Sequence, residues 1–409
     1  MPEPLEPATV ALIKATVPAL EAHGLAITRR MYERLFENPE IRDLFNQSHH
    51  GETGSQPKAL AQAVLAYARH IDDLGVLGGA VERIAQKHVA LNILPEHYPH
   101  VADALLAAIR DVLGEAATPE ICAAWGEAYW CLAEILIGRE AALYRAHAAA
   151  PGGWTGWRAF RVESVRDESA EVRSFWLVPA DGGPVMPHRP GQYLGFRVAL
   201  PGGPTLTRNY SISCAPNARA YRISVKRERR TGLPEGIVSN WLHAEAGTGT
   251  VLAVAAPAGE FVLEGEGPVV LASGGVGLTP LLSMAETLAA ETPARPVLWA
   301  HGTRDRGSHA FAAELRALVE RAPGLTLATF YEGLAADAPL GADEHRGLIT
   351  AGWLAEAAPA GATFYLCGPK PFLAALTHGL AARGVPAERI RYEFFGPADD
   401  LETPALEAA

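Results

Sequence analysis

At Pro151-Gly152-Gly153 the spacing of apolar residues changes, and that change restricts the chain to folds built from more than one module. Before it, residues 1–150 are rich in Ala, Leu and Ile at helical spacing, with punctuation at Asn38-Pro39, Pro57, Pro95 and Thr118-Pro119. This part is expected to be all α. After it come short strand-like segments at 158–165, 171–178, 192–198, 206–213, 220–227 and 250–255, which predict a small antiparallel β-barrel. From Pro268 the pattern changes again, with apolar strands in PVVLA, PVLWAH, LTLATF, TFYLCG and RIRYEFFG alternating with helices. That alternation predicts an α/β module with a parallel sheet covered on both faces. The expected modules are therefore 1–150, 151–264 and 265–409, with Leu401 to Ala409 as a loose tail.

With 409 residues, 49% of them hydrophobic, each module has material for its own core. The net charge of −11, with no basic stripe, argues against nucleic acid or an anionic membrane as partner. Cys122, Cys131, Cys214 and Cys367 lack CxxC spacing, so neither a disulfide framework nor a Cys₄ iron–sulfur site is supported. The N-terminus has no basic region followed by an apolar run, and no stretch reads as apolar for about 18 residues. A soluble, unexported, cytoplasmic monomer is the expectation.

In the helical part, Val81, Ile84, Ala85, His88 and Leu91 recur at helical spacing and put an imidazole on the buried side. There it must be hydrogen-bonded or bound to metal. Tyr32 sits likewise on the stripe Leu25, Thr28, Tyr32, Leu35, Phe36, and Glu140 on the stripe Trp125, Tyr129, Leu132, Leu136, Glu140, Leu143. Gln56 precedes the helix of Leu60 and Val64 as a neutral donor, and Phe45 reads as an aromatic wall. His97 and His100 read as solvated.

In the barrel part, Arg208-Asn209-Tyr210-Ser211 places an arginine, an aromatic and a hydroxyl along one strand. The arginine suits a pyrophosphate, the tyrosine a flavin ring, and the hydroxyl the flavin N5 where hydride arrives. Gly236-Ile237-Val238-Ser239 reads as a turn opening a helix, whose free N–H groups suit a phosphate. In the last part, Val269 to Ala272 followed by Ser273-Gly274-Gly275-Val276-Gly277-Leu278-Thr279-Pro280 is a strand, a glycine turn and a helix start, allowing backbone to approach a pyrophosphate closely. A proline stands where GxGxxG would have its third glycine. Cys367-Gly368-Pro369 is a second turn at a strand end.

Together these motifs resemble the bacterial flavohaemoglobins over nearly the whole chain. The resemblance implies that His88 is the proximal ligand of haem b, held by Tyr98 and Glu140. It makes Tyr32 and Gln56 the distal hydrogen-bonding pair, with Phe45 and Leu60 closing over the haem. Arg208 to Ser211 match the RxYS signature of the ferredoxin-reductase superfamily. Tyr193, in Pro190-Gly191-Gln192-Tyr193, is implied against the FAD, and Gly236, Val238 and Ser239 form a second phosphate-binding stretch. Gly275, Val276, Gly277, Leu278, Thr279 and Pro280 would meet NAD(P)H, with Thr279 toward the nicotinamide. Cys367, Gly368 and Pro369 match the CGP motif at that ring. Glu393, Phe394, Phe395, Gly396 and Pro397 match the segment covering the flavin, although the family often has cysteine where Phe394 stands. Lys87 and Glu393 match positions between the haem and flavin modules. Arg304 or Arg306 could take a 2′-phosphate, so NADH and NADPH both stay open. The implied activity is a nitric oxide dioxygenase acting on the small molecules NO and O₂. The alternatives are a globin-coupled oxygen or redox sensor and a general flavin or ferric reductase.

Overall fold

The structure, a computed structural model, describes residues 3–45, 55–229 and 235–396. The helical part runs α1 (Pro7–Ala15), α2 (Val17–Leu35), α3 (Pro39–Arg42), α4 (Ser55–Arg69), α5 (Gly78–Ala90), α6 (Tyr98–Leu113) and α7 (Pro119–Ala149). Helix starts follow the punctuation in the sequence. Asn38 accepts from the Glu40 amide ahead of Pro39, and Thr118 accepts from the Ile121 amide ahead of Pro119. Helix α2 crosses α4 closely, since a Cβ on Gly24 would lie 3.8 Å from Ala61 Cβ. Their shared core gathers Ile27, Met31, Tyr32, Tyr67, Leu105 and Trp125.

By length and composition, α7 is apolar enough to cross a membrane. Glu127 and Glu134 interrupt it, so it holds no uninterrupted apolar run of about 18 residues. Inside the fold, its Trp125, Ala128, Leu136 and Leu143 are core residues.

The second part contains β1 (Arg158–Asp167), β2 (Val172–Pro179), β3 (Tyr193–Ala199), β4 (Thr205–Ser211), β5 (Tyr221–Lys226), α8 (Ile237–Glu245) and β6 (Val251–Val254). All six expected strands are present. They form an antiparallel sheet in the order β4-β3-β6-β1-β2-β5, and the bridge Ile212↔Ile223 brings its two edges together as a barrel. Alternate residues point inward, among them Phe160, Val162, Leu194, Phe196, Ile223 and Val225.

The third part contains β7 (Val269–Gly274), α9 (Leu278–Glu291), β8 (Val297–Thr303), α10 (Ala312–Arg321), β9 (Leu325–Tyr331), β10 (Glu344–Arg346), α11 (Ala351–Ala357), β11 (Thr363–Cys367), α12 (Lys370–Ala381) and β12 (Ile390–Glu393). The strands are parallel in the order β10-β9-β8-β7-β11-β12. Val269 and Leu271 enter one core with α9 and α10, while Val270 and Ala272 enter the other with α11 and α12. The direction of winding reverses between β7 and β11, and ligands of such sheets lie beyond the carboxyl ends of the strands at that reversal. Edge strand β10 was not expected, and the RIRYEFFG strand stops at Glu393. The tail Leu401 to Ala409 lies outside the described residues.

Candidate functional site

On α5, His88 Nδ1 lies 2.7 Å from Glu140 Oε1 on α7. Tyr98, at the start of α6, donates its hydroxyl to the same oxygen over 2.6 Å and sits 3.2 Å from Nδ1. Glu140 is only 2% exposed and its Oε2 has no partner. A carboxylate cannot donate, so this contact places the proton on Nδ1 and leaves the Nε2 lone pair as the imidazole's acceptor. Burial, reinforced by Glu140, raises the Tyr98 hydroxyl pKa and keeps it a donor. Tyr129 and Tyr144 donate to the Tyr98 and Ile93 carbonyls over 2.7 Å each, which ties down the surrounding backbone. Helix α5 ends just beyond His88 with Asn92 at φ 56°; the Ile93 amide returns to the His88 carbonyl and the Asn92 amide to the Val89 carbonyl.

The fully buried face of α5 differs from the expected one. Ala85, Val89 and Ala90 are buried, while Val81, Ile84, His88 and Leu91 are half-buried, the His88 side chain being 30% exposed. Ala85 and Val89 pack on Leu143 of α7 and Ala90 on Tyr193 and Ala258 of the barrel, while Val81 and Ile84 pack beside Tyr98 and Leu136. The stripe ending in His88 is thus an apolar surface with one imidazole acceptor, a donor set suited to the iron of a flat apolar porphyrin. His97 also departs from its solvated reading, because its Nδ1 accepts from the Leu94 amide at 3.0 Å and burial lowers its pKa. His100 is exposed.

Tyr32 and Gln56 are brought together, the Tyr32 side chain being buried and hydrogen-bonded to Gln56 at the start of α4. Phe45 meets the Tyr32 ring edge-on at 5.7 Å. Leu60 and Val64 follow Gln56 at helical spacing, half-buried against the same core.

Strand β4 presents Arg208 and Tyr210 on one face, half-buried, with Ser211 buried on the other and Asn209 exposed. Arg208 Nη1 donates to the Thr207 carbonyl at 2.6 Å, and burial lowers the guanidinium's pKa. Tyr193 pairs with Ser211 across β3 and β4, and it packs on Ala90 of the helix that carries His88. At the start of α8, Val238 and Ser239 are buried. The Ser239 hydroxyl donates to the Gly236 carbonyl and accepts from the Glu228 amide. What this helix end offers a phosphate is backbone N–H.

The two glycine turns of the third part press on each other. A Cβ on Gly277 would lie 2.1 Å from the Cys367 carbonyl oxygen, and one on Gly368 would lie 3.0 Å from the Gly274 amide. Gly275 adopts φ 55°, which favours glycine. Pro369 Cδ stands 3.0 Å from the Cβ position of Gly274. Leu278, Thr279 and Pro280 are buried, Val276 is half-buried, and the Thr279 hydroxyl donates to the Val276 carbonyl at 3.0 Å. Cys367 is fully buried, and burial pushes its thiol pKa well up. Its register partner on β12 is Glu393, whose carboxyl is lifted to about 7 by burial and by Glu260, against the pull of Lys87 and Arg83. Phe394 packs on the α12 side of the sheet, Phe395 is 47% exposed, and a Cβ on Gly396 would meet the Phe394 ring. Pro397 lies outside the described residues.

The direct links between the helical part and the barrel are ones the sequence reading missed. Gln86 Oε1 accepts from the Gly259 amide at 3.0 Å, Arg83 pairs with Glu260 at 3.7 Å, and Thr207 donates to the Leu44 carbonyl at 3.3 Å. Gly195 lies so close to the Ala90 carbonyl that a Cβ there would be 1.8 Å from its oxygen. Glycine inside a strand signals such a close backbone approach, and it was the available clue.

Residues 29–136 match the globin family, and residues 271–378 match the oxidoreductase NAD-binding domain. A flavohemoprotein of Xylella fastidiosa (strain 9a5c) is 50% identical over 398 residues, covering 96% of this chain and 98% of its own. One of Bordetella pertussis is 49% identical over 399 residues, again covering 96% and 98%. The chain belongs to the flavohemoprotein family. Among solved structures, the flavohemoglobin of Malassezia yamatoensis with bound FAD and heme superposes with a TM-score of 0.84 at 27% identity, covering 96% of this chain and all of that one. The FAD/NAD-binding domain of a nitric oxide dioxygenase from Vibrio cholerae is 40% identical, with a TM-score of 0.54, covering 59% of this chain and all of that one. As a flavohemoprotein, the chain combines a globin, an antiparallel barrel and a parallel-sheet NAD-binding domain, the architecture of an oxidoreductase.

Proposed function

We propose that this flavohemoprotein is an NAD(P)H-dependent nitric oxide dioxygenase that converts NO and O₂ to nitrate and thereby removes nitric oxide. The observation that carries the reading is the His88–Glu140–Tyr98 cluster, joined in one chain to a Tyr32–Gln56 pair and to two dinucleotide-type turns. It is supported by the activity named for the Vibrio cholerae relative and by the FAD and heme of the Malassezia yamatoensis protein. When bound, the haem supplies an iron where O₂ and NO react, the FAD converts two-electron to one-electron traffic, and NAD(P)H supplies the hydride.

His88 is assigned as the iron ligand through Nε2, with Glu140 and Tyr98 fixing its ring and making it a stronger electron donor. With haem bound, Tyr32 and Gln56 would offer donors to a ligand that carries negative charge, each such bond contributing about 1.5–3 kcal/mol. Phe45 and Leu60 exclude water there. Arg208, Tyr210, Ser211 and Tyr193 hold the FAD with the α8 N-terminus, and the paired turns at Gly275–Pro280 and Cys367–Pro369 hold NAD(P)H. The proposal takes 1–150, 151–264 and 265–409 as the haem, flavin and nicotinamide modules of a cytoplasmic monomer. Rapid mixing of the reduced, oxygen-equilibrated holoprotein with NO tests it. Stoichiometric nitrate on the mixing timescale is expected, and oxygen carriage without nitrate would replace the reading with a sensor.

A further inference from the structure

Between the barrel and the parallel-sheet domain, one arginine is almost completely enclosed. Arg222 on β5 is 4% exposed. Its Nη2 lies 2.6 Å from Glu286 Oε1 on α9, and its Nη1 lies 2.9 and 3.1 Å from the two carboxylate oxygens of Glu314 on α10. Its Nε and Nη2 also donate to the Ser213 carbonyl, just past the end of β4. Trp176 of the barrel and Phe311 of the other domain stand on the guanidinium carbon at 5.3 and 5.1 Å. Phe311, the residue before α10, has a left-handed φ of 62°. The second oxygen of Glu286 accepts from the Ala215 amide at 2.7 Å, and Ser283, one turn earlier on α9, donates to the Cys214 carbonyl at 2.6 Å.

The bonds of Glu286, Glu314 and Ser283 join α9 or α10 to segment 213–215 or to β5, and Arg222's own bonds to the Ser213 carbonyl tie β5 to that segment. Segment 213–215 continues the strand of Arg208, Tyr210 and Ser211, whereas α9 begins at the glycine turn of Gly275–Gly277. The cluster therefore ties β5 and the segment that follows the flavin strand to the helix that starts at the coenzyme turn. Its composition fits a geometric role better than a stabilising one. Two carboxylates share a single guanidinium, and Glu168 contributes a third nearby acid. Burial, with Glu314 adding to it, pushes the Glu286 carboxyl above its usual range against the pull of Arg222. Buried ionic groups of this kind add little net stability over apolar packing, but the planar fork of arginine fixes orientation between two bodies.

We infer that Arg222, with Glu286 and Glu314, is a positioning element that sets the nicotinamide turn against the flavin strand and so governs hydride transfer. The inference rests on the proposed binding of NAD(P)H and FAD. In the step it serves, one hydrogen nucleus with two electrons leaves carbon 4 of the reduced nicotinamide and bonds to flavin N5, so the coenzyme is oxidised by two electrons and the flavin reduced by two. Arg222 touches neither reactant. It acts through Ser213 and α9.

The test is anaerobic stopped-flow reduction of the flavin in the holoprotein by NADH, at saturating coenzyme, combined with amide hydrogen exchange. Arg222→Met alone leaves buried carboxylates without a counter-charge, so the decisive variant is Arg222→Met with Glu286→Gln and Glu314→Gln, which removes the cluster without stranding a charge. A displacement of about 1 Å at a reacting centre costs on the order of 100-fold, so the limiting rate is expected to fall about 10- to 100-fold. Haem and flavin absorbance and the NADH dissociation constant stay near their original values, and exchange accelerates at 213–215 and along α9. Arg222→Lys, which keeps the charge but loses the fork, should fall between. A limiting rate equal to that of the unsubstituted protein overturns the inference, as does a loss explained by weaker NADH binding or missing flavin. Absence of flavin from the unsubstituted protein would instead overturn the functional reading on which the inference stands.

Discussion

The haem half and the nicotinamide half of this molecule build their ligand-facing surfaces from opposite materials. In the helical half, polarity comes from side chains: His88, Glu140, Tyr98, Tyr32 and Gln56 sit on five helices and meet through specific hydrogen bonds. In the nicotinamide half, the side chains withdraw. Leu278, Thr279, Pro280 and Cys367 are buried, leaving the backbone of two glycine turns packed within van der Waals limits of each other. The first surface should therefore be sensitive to chemistry at single atoms and tolerant of small shifts. The second should be indifferent to chemistry and intolerant of one added carbon.

The largest effect expected from this contrast is His88→Ala. Removing the one acceptor on the α5 stripe should abolish the Soret band of the purified protein, while NADH continues to reduce the flavin in the same sample. Equal loss of both would refute separable halves. The converse substitution is Gly277→Val, whose Cβ would be 2.1 Å from the Cys367 carbonyl oxygen. The two turns must part, and flavin reduction by NADH should drop by about 100-fold or more with the Soret band intact. A rate within a few-fold of the original would show that the turns are not the coenzyme's seat.

The same contrast explains what could be read from the chain before its structure. Backbone surfaces are local, so the glycine turns, the six barrel strands and a parallel sheet covered on both faces were legible. Side-chain surfaces are tertiary. Glu140 and Tyr98 lie 52 and 10 residues from His88, and periodicity alone placed the histidine on a buried stripe without naming either partner; the family resemblance did that. Periodicity also gave no sign that Ala90 would be covered by the barrel, at Tyr193 and Ala258. Strand β10 was invisible, being three polar residues, Glu344-His345-Arg346, paired only along β9. The Arg222 cluster was missed because an arginine between apolar neighbours reads as the outward face of a strand, and it is the parallel-sheet domain that completes its burial.

A smaller effect is expected at Tyr32, where one donor is lost from a pair. Tyr32→Phe keeps the ring packing against Phe36 and Phe45 but removes the hydroxyl that Gln56 engages. If a charge-assisted bond of about 1.5–3 kcal/mol is lost, O₂ should leave the reduced protein about 10- to 100-fold faster, measured by flash photolysis or ligand replacement. An unchanged off-rate would remove Tyr32 from the oxygen side. Haem content should not change, which separates this residue from His88.

The smallest effect is expected where the two materials meet. Lys87 and Glu393 attract one another across the junction, yet the close contacts there belong to their neighbours: Gln86 on the Gly259 amide, Arg83 on Glu260, and Ala90 against Gly195. Two of those three involve backbone, and the closest excludes even a Cβ. Lys87 and Glu393 are both half-buried, and burial opposes the charge of Glu393, so the net attraction is about 0–1 kcal/mol and Lys87→Ala should slow electron passage from flavin to haem by less than about fivefold. Raising the ionic strength should remove most of the difference, since screening acts on the pair and not on the packed backbone. Gly195→Ala forces Ala90, and with it the last turn of the helix bearing His88, away from the barrel. Its effect on the same transfer rate should exceed that of Lys87→Ala and persist in high salt. If the lysine substitution proves the more damaging of the two, the junction is aligned by charge, and the division between side-chain and backbone surfaces does not extend to the place where they join.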